Sequence, residues 1–246
     1  MSGCLVIGGA RRLGAAVALE LAGRGYDVAV SSRTPAAASE VIAAIEGRGR
    51  SGVAVGGDVT ARIDAQHLVA SAASAIGRLD LVVFAASGPF APTPPEELGE
   101  DDWDRSLDVV ARGFLFVAQA ARGVFLRQAE RDPSPARGHT GTIVALTDIV
   151  EGDPWPRLTP HFAAKAAEIM LVRLLASAWA ADGVRVCGVA PGPVDIPDDP
   201  HRDATERAAS RLGYPRLLRP GEIATAVVHC TTDAELSGTN RTVTAD

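Results

Sequence analysis

The stretch "VIGGARRLGAAVALELAGRGYDVAVSSR", residues 6–33, joins an apolar run to a helically spaced segment and then to a second apolar run. Gly8 and Gly14 bracket the first junction. With no side chains there, the backbone of a tight turn can approach a pyrophosphate, and the amide end of the following helix favours its negative charge. The second run closes on "SSR". A site that selects NAD commonly carries an acidic residue at this place to hold the ribose hydroxyls. Here Ser32 and Arg33 offer a hydroxyl and a guanidinium suited to a 2′-phosphate, while Arg11 and Arg12 add charge inside the turn. The expected cofactor is NADP(H).

Outward from this stretch, short apolar runs recur at 4–8, 27–31, 52–56, 79–86, 141–146, 183–190 and 240–245, and are read as seven strands. Helical spacing occupies 12–24, 36–47, 61–76, 104–130, 161–181 and 220–231. Strands that alternate with helices imply right-handed crossovers, hence an α/β fold: a Rossmann-like, doubly wound parallel sheet of about seven strands with helices on both faces. The segments "RDPSPARGHT" (131–140) and "PGPVDIPDDPHRD" (191–203) read as surface loops, the second placed to cover a site. With 246 residues and no internal repeat, the chain 1–246 is expected to form a single domain.

Composition narrows the function. Hydrophobic residues make up 47% and charged residues 22%, as in ordinary soluble globular proteins. A net charge of -6 argues against nucleic acid as a partner. Cys4, Cys187 and Cys230 lie apart in apolar runs, without metal-ligand or disulfide spacing, and read as core thiols; no metal is expected. No signal peptide and no run of eighteen uninterrupted apolar residues is found, so the expectation is a cytoplasmic protein with no membrane partner, acting on a small molecule.

Several motifs in this order, over essentially the whole length, resemble the short-chain dehydrogenase/reductase superfamily. "GGARRLG", with Arg12 where many members have a middle glycine, and "VVFAASGPFAPTP" after the fourth strand are similar to its pteridine reductase and dihydromonapterin reductase branch. The resemblance implies cofactor contacts from Gly8, Arg11, Arg12, Leu13, Gly14, Ser32 and Arg33. It also implies contacts from Asp58 and Val59 at the adenine, from Ala86 and Ser87 after the fourth strand, and from Lys165. In "VAPGPV" (189–194), Pro191, Gly192 and the backbone of Val194 would lie beside the nicotinamide.

Members of the superfamily usually carry an Asn, Ser, Tyr and Lys catalytic set. In "HFAAK" (161–165) Lys165 matches the lysine, but His161 stands at the tyrosine position. Asp148 in "ALTDIV" stands at the serine position, a substitution also found in the pteridine reductase branch. The asparagine position falls near Val110, and Phe84, Ala85, Ala86 and Ser87 replace the usual "NNAG". Imidazole differs from phenol in that its unperturbed pKa is already near ~6.5. A neighbouring ammonium pushes it lower and a carboxylate in hydrogen-bond reach pushes it higher, so Asp148 and Lys165 oppose one another at His161. Their balance stays open at this level.

Three readings follow. In the first, an NADPH-dependent reductase acts on a C=N or C=O group of a small, heterocyclic substrate, with Asp148 and His161 as proton donors and Lys165 on the cofactor ribose. In the second, the dinucleotide site serves non-redox chemistry such as dehydration, isomerisation or cyclisation. In the third, the protein binds NADP(H) without catalysis. Trp155 is read as a pocket wall or as packing, Tyr214 as packing in a lid-like segment, and Thr147 as pointing away from Asp148. Apolar excess on helices 104–130 and 161–181 fits burial against another subunit or a thick core, and the resemblance implies a homo-oligomer, a dimer or tetramer.

Overall fold

The computed structural model describes residues 2–88, 92–131, 139–149, 155–196 and 202–245. Seven parallel strands, β1 (Ser2–Ile7), β2 (Tyr26–Ser32), β3 (Gly52–Gly56), β4 (Leu81–Phe84), β5 (Gly141–Leu146), β6 (Val184–Pro191) and β7 (Asn240–Val243), form one sheet in the order β3-β2-β1-β4-β5-β6-β7. The order reverses between β1 and β4, and in such sheets the ligand crevice lies at this switch point, outside the carboxyl ends of the strands.

Period-two alternation divides the buried side chains between two apolar layers. Cys4, Val6, Leu81, Val83, Val144 and Leu146 face one layer, with α1 (Arg12–Gly23), α2 (Ser39–Glu46) and α8 (Pro220–Thr232). Their neighbours Leu5, Ile7, Val82, Phe84, Ile143 and Ala145 face the other, with α3 (Arg62–Ile76), α5 (Gly113–Arg131) and α6 (Thr159–Trp179). Burial on both faces is why these strands read as continuous apolar runs. Cys4, Cys187 and Cys230 are free, buried thiols.

The structure corrects several expected boundaries. The fourth strand ends at Phe84, not at 86: the Ala85 N–H donates to the Ile7 carbonyl at 2.9 Å, after which the chain leaves the ladder for the crevice. The helix expected over 104–130 is α4 (Glu100–Leu107) followed by a π-helical turn at Asp108–Arg112 and then α5. Residues Glu100–Arg131 are long and apolar enough to cross a membrane by length and composition, and part of this run packs inside the fold against α3 and α6. One helix, α7 (Arg202–Arg211), lies where no helix was expected, its first two residues within the expected loop 191–203. Its sequence, RDATERAASR, buries only Ala209, so apolar periodicity carries almost no signal there. Residues 132–138 of the expected loop 131–140 and 197–201 of the expected loop 191–203 lie outside the described residues.

Candidate active site

At the crevice, the turn from β1 to α1 has the geometry the glycines promised. Gly8 sits at φ +73°, and a Cβ there would stand 3.0 Å from the Ala86 backbone; a Cβ on Gly14 would stand 2.3 Å from the Gly8 carbonyl oxygen. No other residue fits at Gly14 without moving the turn, so the amide end of α1 lies against the loop. Arg12 is the chain's one non-glycine residue with positive φ among those described, at 50°. The position thus keeps the left-handed backbone that a glycine would adopt without strain, and holds an exposed arginine at that cost. Arg11 is exposed beside it and Leu13 half-buried. No acidic residue occupies the first turn of α1, which leaves its positive end uncompensated.

After β2, Arg33 is exposed, whereas the Ser32 hydroxyl donates to the Thr34 carbonyl at 2.5 Å. Ser31, not singled out in the sequence, is the serine turned toward the glycine turn, its Oγ accepting from the Gly8 N–H at 3.4 Å. Asp58 caps the start of its own turn: Oδ1 accepts from both the Thr60 N–H and Thr60 hydroxyl at 2.9 Å. Val59 is buried, Ala86 half-buried and Ser87 exposed. This end of the site fits a nicotinamide dinucleotide: a cradle that side chains would fill, a helix amide end and exposed guanidinium groups of Arg12 and Arg33.

The other end is built by β5 and α6. Beyond Leu146 the ladder continues for one residue, with the Thr147 N–H donating to the Val189 carbonyl at 2.8 Å and the Thr147 hydroxyl to Asn240 Oδ1 at 2.6 Å. Thr147 points toward β7, as alternation predicts, and Asp148 points toward α6. A short turn at Pro156–Leu158 and Pro160 in the first helical turn set where α6 begins. His161 is thereby presented to Asp148, with Nε2 2.8 Å from Oδ2. The other oxygen, Oδ1, accepts from the Ile149 N–H at 2.7 Å. The His161 side chain is 10% exposed and the Asp148 side chain 33%, so the pair is anchored in the wall yet open on the carboxylate side. Phe162 packs edge-on against the imidazole, ring centroids 5.3 Å apart.

Lys165 lies one turn on, buried. Its Nζ donates to the Leu146 carbonyl at 2.7 Å and to Glu168 Oε2 at 2.9 Å. Glu168 is fully buried, and its Oε1 has no hydrogen-bond partner. Burial pushes the Glu168 carboxyl up, to about 7, against the lowering effect of the Lys165 ammonium. The sequence reading missed Glu168. The signal was a carboxylate on the stripe that continues through Val172 and Ala176, but apolar residues on the outer face of the helix, Met170 and Leu174, hid which stripe is buried. Val110, near which the resemblance places the superfamily asparagine, is fully buried in the π-helical turn, which packs on α6.

The segment after β6 closes the crevice. The Gly192 N–H donates to the Val243 carbonyl at 2.9 Å, and Val194 bridges to Leu218. Tyr214 packs beside Gly192, where an added Cβ would stand 3.5 Å from the ring. The Arg211 guanidinium of α7 lies over the Trp155 ring at 5.6 Å, so one face of that indole is taken by the protein. Pro191 ends β6 at the crevice mouth.

A parallel sheet in this order, with a glycine turn at its switch point and a buried lysine on α6, defines a nicotinamide-dependent oxidoreductase of Rossmann type. The profile described as short chain dehydrogenase matches residues 3–206. The chain is 30% identical over 250 residues to 3beta-hydroxysteroid dehydrogenase 1 of Eggerthella lenta, with 98% of this chain and 91% of that protein covered. It is 32% identical over 232 residues to cis-4-hydroxycyclohexanecarboxylate dehydrogenase of Sinomonas cyclohexanicum, covering 94% of this chain and 89% of that protein. In fold it is similar to a short-chain type dehydrogenase/reductase from Mycobacterium marinum, with a TM-score of 0.82 at 22% identity over 98% of this chain and 93% of that one. The protein belongs to the short-chain dehydrogenase family.

Proposed function

We propose that this protein is an NADPH-dependent reductase of a C=N or C=O group in a small, ring-bearing substrate, folded over 1–246 as one NADP(H)-binding domain. Asp148 and His161 are its proton-donor pair and Lys165 its ribose-holding residue. The observation that carries the reading is the 2.8 Å contact between Asp148 Oδ2 and His161 Nε2, beside the lysine and at the carboxyl end of β5. A carboxylate in that contact fixes the ring, and the pair is read as the proton source of the site. The cofactor supplies hydride to the substrate carbon when bound. His161 delivers a proton to the oxygen or nitrogen that becomes negative, and Asp148 orients the ring throughout. The Gly8–Gly14 turn and the amide end of α1 hold the pyrophosphate, and Arg33 with Arg12 the 2′-phosphate.

Arg12 in the turn and Asp148 in place of serine support kinship with the pteridine reductase and dihydromonapterin reductase branch, and so dihydropterins and cyclic imines as substrates. The names of the two curated relatives put a hydroxyl on a ring and support cyclic ketones. Titration of the purified protein with NADPH and NADH by fluorescence, followed by this panel in the same cuvette, tests the reading. Tight NADPH binding with substrate-dependent loss of the reduced-nicotinamide signal is expected; binding to neither nucleotide overturns it. Arg33→Glu should weaken NADPH about tenfold or more and leave NADH within about threefold, since a charge-assisted contact to a 2′-phosphate contributes about 1.5–3 kcal/mol before screening.

The protein is expected to work in the cytoplasm as a homo-oligomer. Trp103 on α4 and Met170 and Leu174 on α6 are large apolar side chains left 43%, 48% and 56% exposed, and α4 packs on α6, so the three belong to neighbouring helices. Met170→Glu combined with Leu174→Glu should convert the assembly to a smaller particle in sedimentation, with secondary structure unchanged. An unaltered sedimentation coefficient would place the contact elsewhere.

A further inference from the structure

We infer that Asn240 is a positioning residue of the active site: its side-chain amide lies across β6 in the space that Gly188 leaves open, holds the Thr147 hydroxyl, and so fixes the end of β5 from which Asp148 projects. The inference rests on the reading of Asp148 and His161 as the proton-donor pair. In the sheet β6 stands between β5 and β7, and Asn240 pairs with Gly188 at the start of β7. Even so, the Thr147 hydroxyl at the end of β5 donates to Asn240 Oδ1 at 2.6 Å. The contact passes over a residue with no side chain. A Cβ on Gly188 would stand 2.4 Å from that oxygen and 3.3 Å from the Asn240 Cα, so any other residue there pushes the amide off Thr147.

The end of β5 needs such a hold. Pairing with β4 stops at Phe84, opposite Ala145, and Leu146 and Thr147 run on past that neighbour. On the other side Leu146 still pairs with Val189, whose carbonyl accepts from the Thr147 N–H at 2.8 Å. The strand thus ends on a ladder to β6 alone, and Asp148 is the next residue. Its carboxylate has two partners to meet, His161 Nε2 at 2.8 Å from Oδ2 and the Ile149 N–H at 2.7 Å from Oδ1. A displacement of about 1 Å in such a constellation can cost about 10²-fold in rate. The bond to Asn240 ties this strand end to a second strand, β7.

Sheet stability does not ask for these residues. Valine has the shape of threonine and needs no hydrogen-bond partner at position 147, which is only 4% exposed. Glycine inside a strand weakens it, and asparagine is depleted in strands. Each choice is unfavourable by itself. Together they make one hydrogen bond, on the residue that precedes Asp148.

The test is hydrogen exchange of assigned amides in the full-length protein, read without substrate or nucleotide. The Ile149 N–H reports whether the Asp148 carboxylate is held, and Val144, paired on both sides within β5, reports the sheet as a whole. Thr147→Val keeps the shape and removes the hydroxyl. It should speed exchange at Ile149 by about threefold or more and leave Val144 within about twofold, while Thr147→Ser, which keeps the hydroxyl, stays near the parent at both. A rise below about threefold at Ile149, or one matched at Val144, overturns the inference. Gly188→Ala reaches the same bond from β6 without altering either partner; it should reproduce the rise at Ile149, and it keeps the inference open to disproof where Thr147→Val fails to fold. With a compound that is reduced, kcat of Thr147→Val should fall about tenfold, with KM and NADPH affinity within about threefold of the parent and kcat recovered in Thr147→Ser. Failure to reduce any compound bears on the proposed reaction, whereas an unmoved Ile149 amide bears on Asn240.

Discussion

Replacing His161 with Phe is expected to lower kcat for carbonyl or imine reduction by about 10²- to 10⁴-fold, the range that a positioned general acid contributes. NADPH affinity should stay within about threefold of the parent, because His161 faces Asp148 and the crevice and not the glycine turn. Phe fills much of the same volume, so α6 keeps its start at Thr159 and Pro160. Asp148→Asn retains an acceptor for the Ile149 N–H but replaces the carboxylate oxygen that faces His161 Nε2. Its kcat should fall less than that of the histidine variant, because the ring itself is still present. Single-turnover rates separate this from product release. If His161→Phe is neutral and Asp148→Asn is not, Asp148 acts on the substrate directly; neutrality of both would remove the pair from the chemistry.

The second large effect concerns stability against pH. The Glu168 carboxyl titrates near 7 in the folded protein, above its ordinary value of 4.5, because burial penalises its charged form more than Lys165 rewards it. The folded state therefore holds this proton more tightly than the unfolded chain. The resulting stabilisation is fully present below about 4.5 and is lost as pH rises through about 7. The interval corresponds to about 3 kcal/mol. Glu168→Gln cannot titrate, so the stability of the parent relative to this variant should decline by an amount of that order between pH 5 and pH 8 (about the span the linkage sets), as read by urea midpoints at constant ionic strength. A difference independent of pH would mean that Glu168 keeps one protonation state throughout. The same reasoning makes Lys165→Met with Glu168→Leu at least as stable as the parent at alkaline pH.

Much of the architecture was legible because it rests on periodicities that the sequence displays directly. A run such as "CLVIG" is apolar at every position because both faces of its strand are covered. The glycines at 8 and 14 mark the turn because no side chain fits at either place. The boundary of α4 and the existence of α7 were not legible. Glu100–Leu107 and Arg202–Arg211 are mostly charged segments that bury only Ser106 and Ala209 respectively, and so lack the apolar stripe from which a helix is read.

At the site the division is sharper. His161 and Lys165 are four apart on a helix, and local geometry alone puts them on one face. Asp148 joins them through a spacing of thirteen residues that crosses from β5 to α6, and resemblance suggested that contact before the fold supplied its 2.8 Å. Trp155 read as a pocket wall or as packing, and α7 brings Arg211 over one face of it.

By itself, then, the sequence determined what depends on the order of residues along one chain direction: strand and helix alternation, the glycine turn, the basic residues around it, and the altered HxxxK pair. Tertiary structure alone decided what depends on which groups are removed from water. Glu168 is an ordinary helix residue in the sequence. Only the packing of α6 against the sheet takes its carboxylate out of solvent and sets it on Lys165, where the desolvation that raises its proton affinity makes it part of the site.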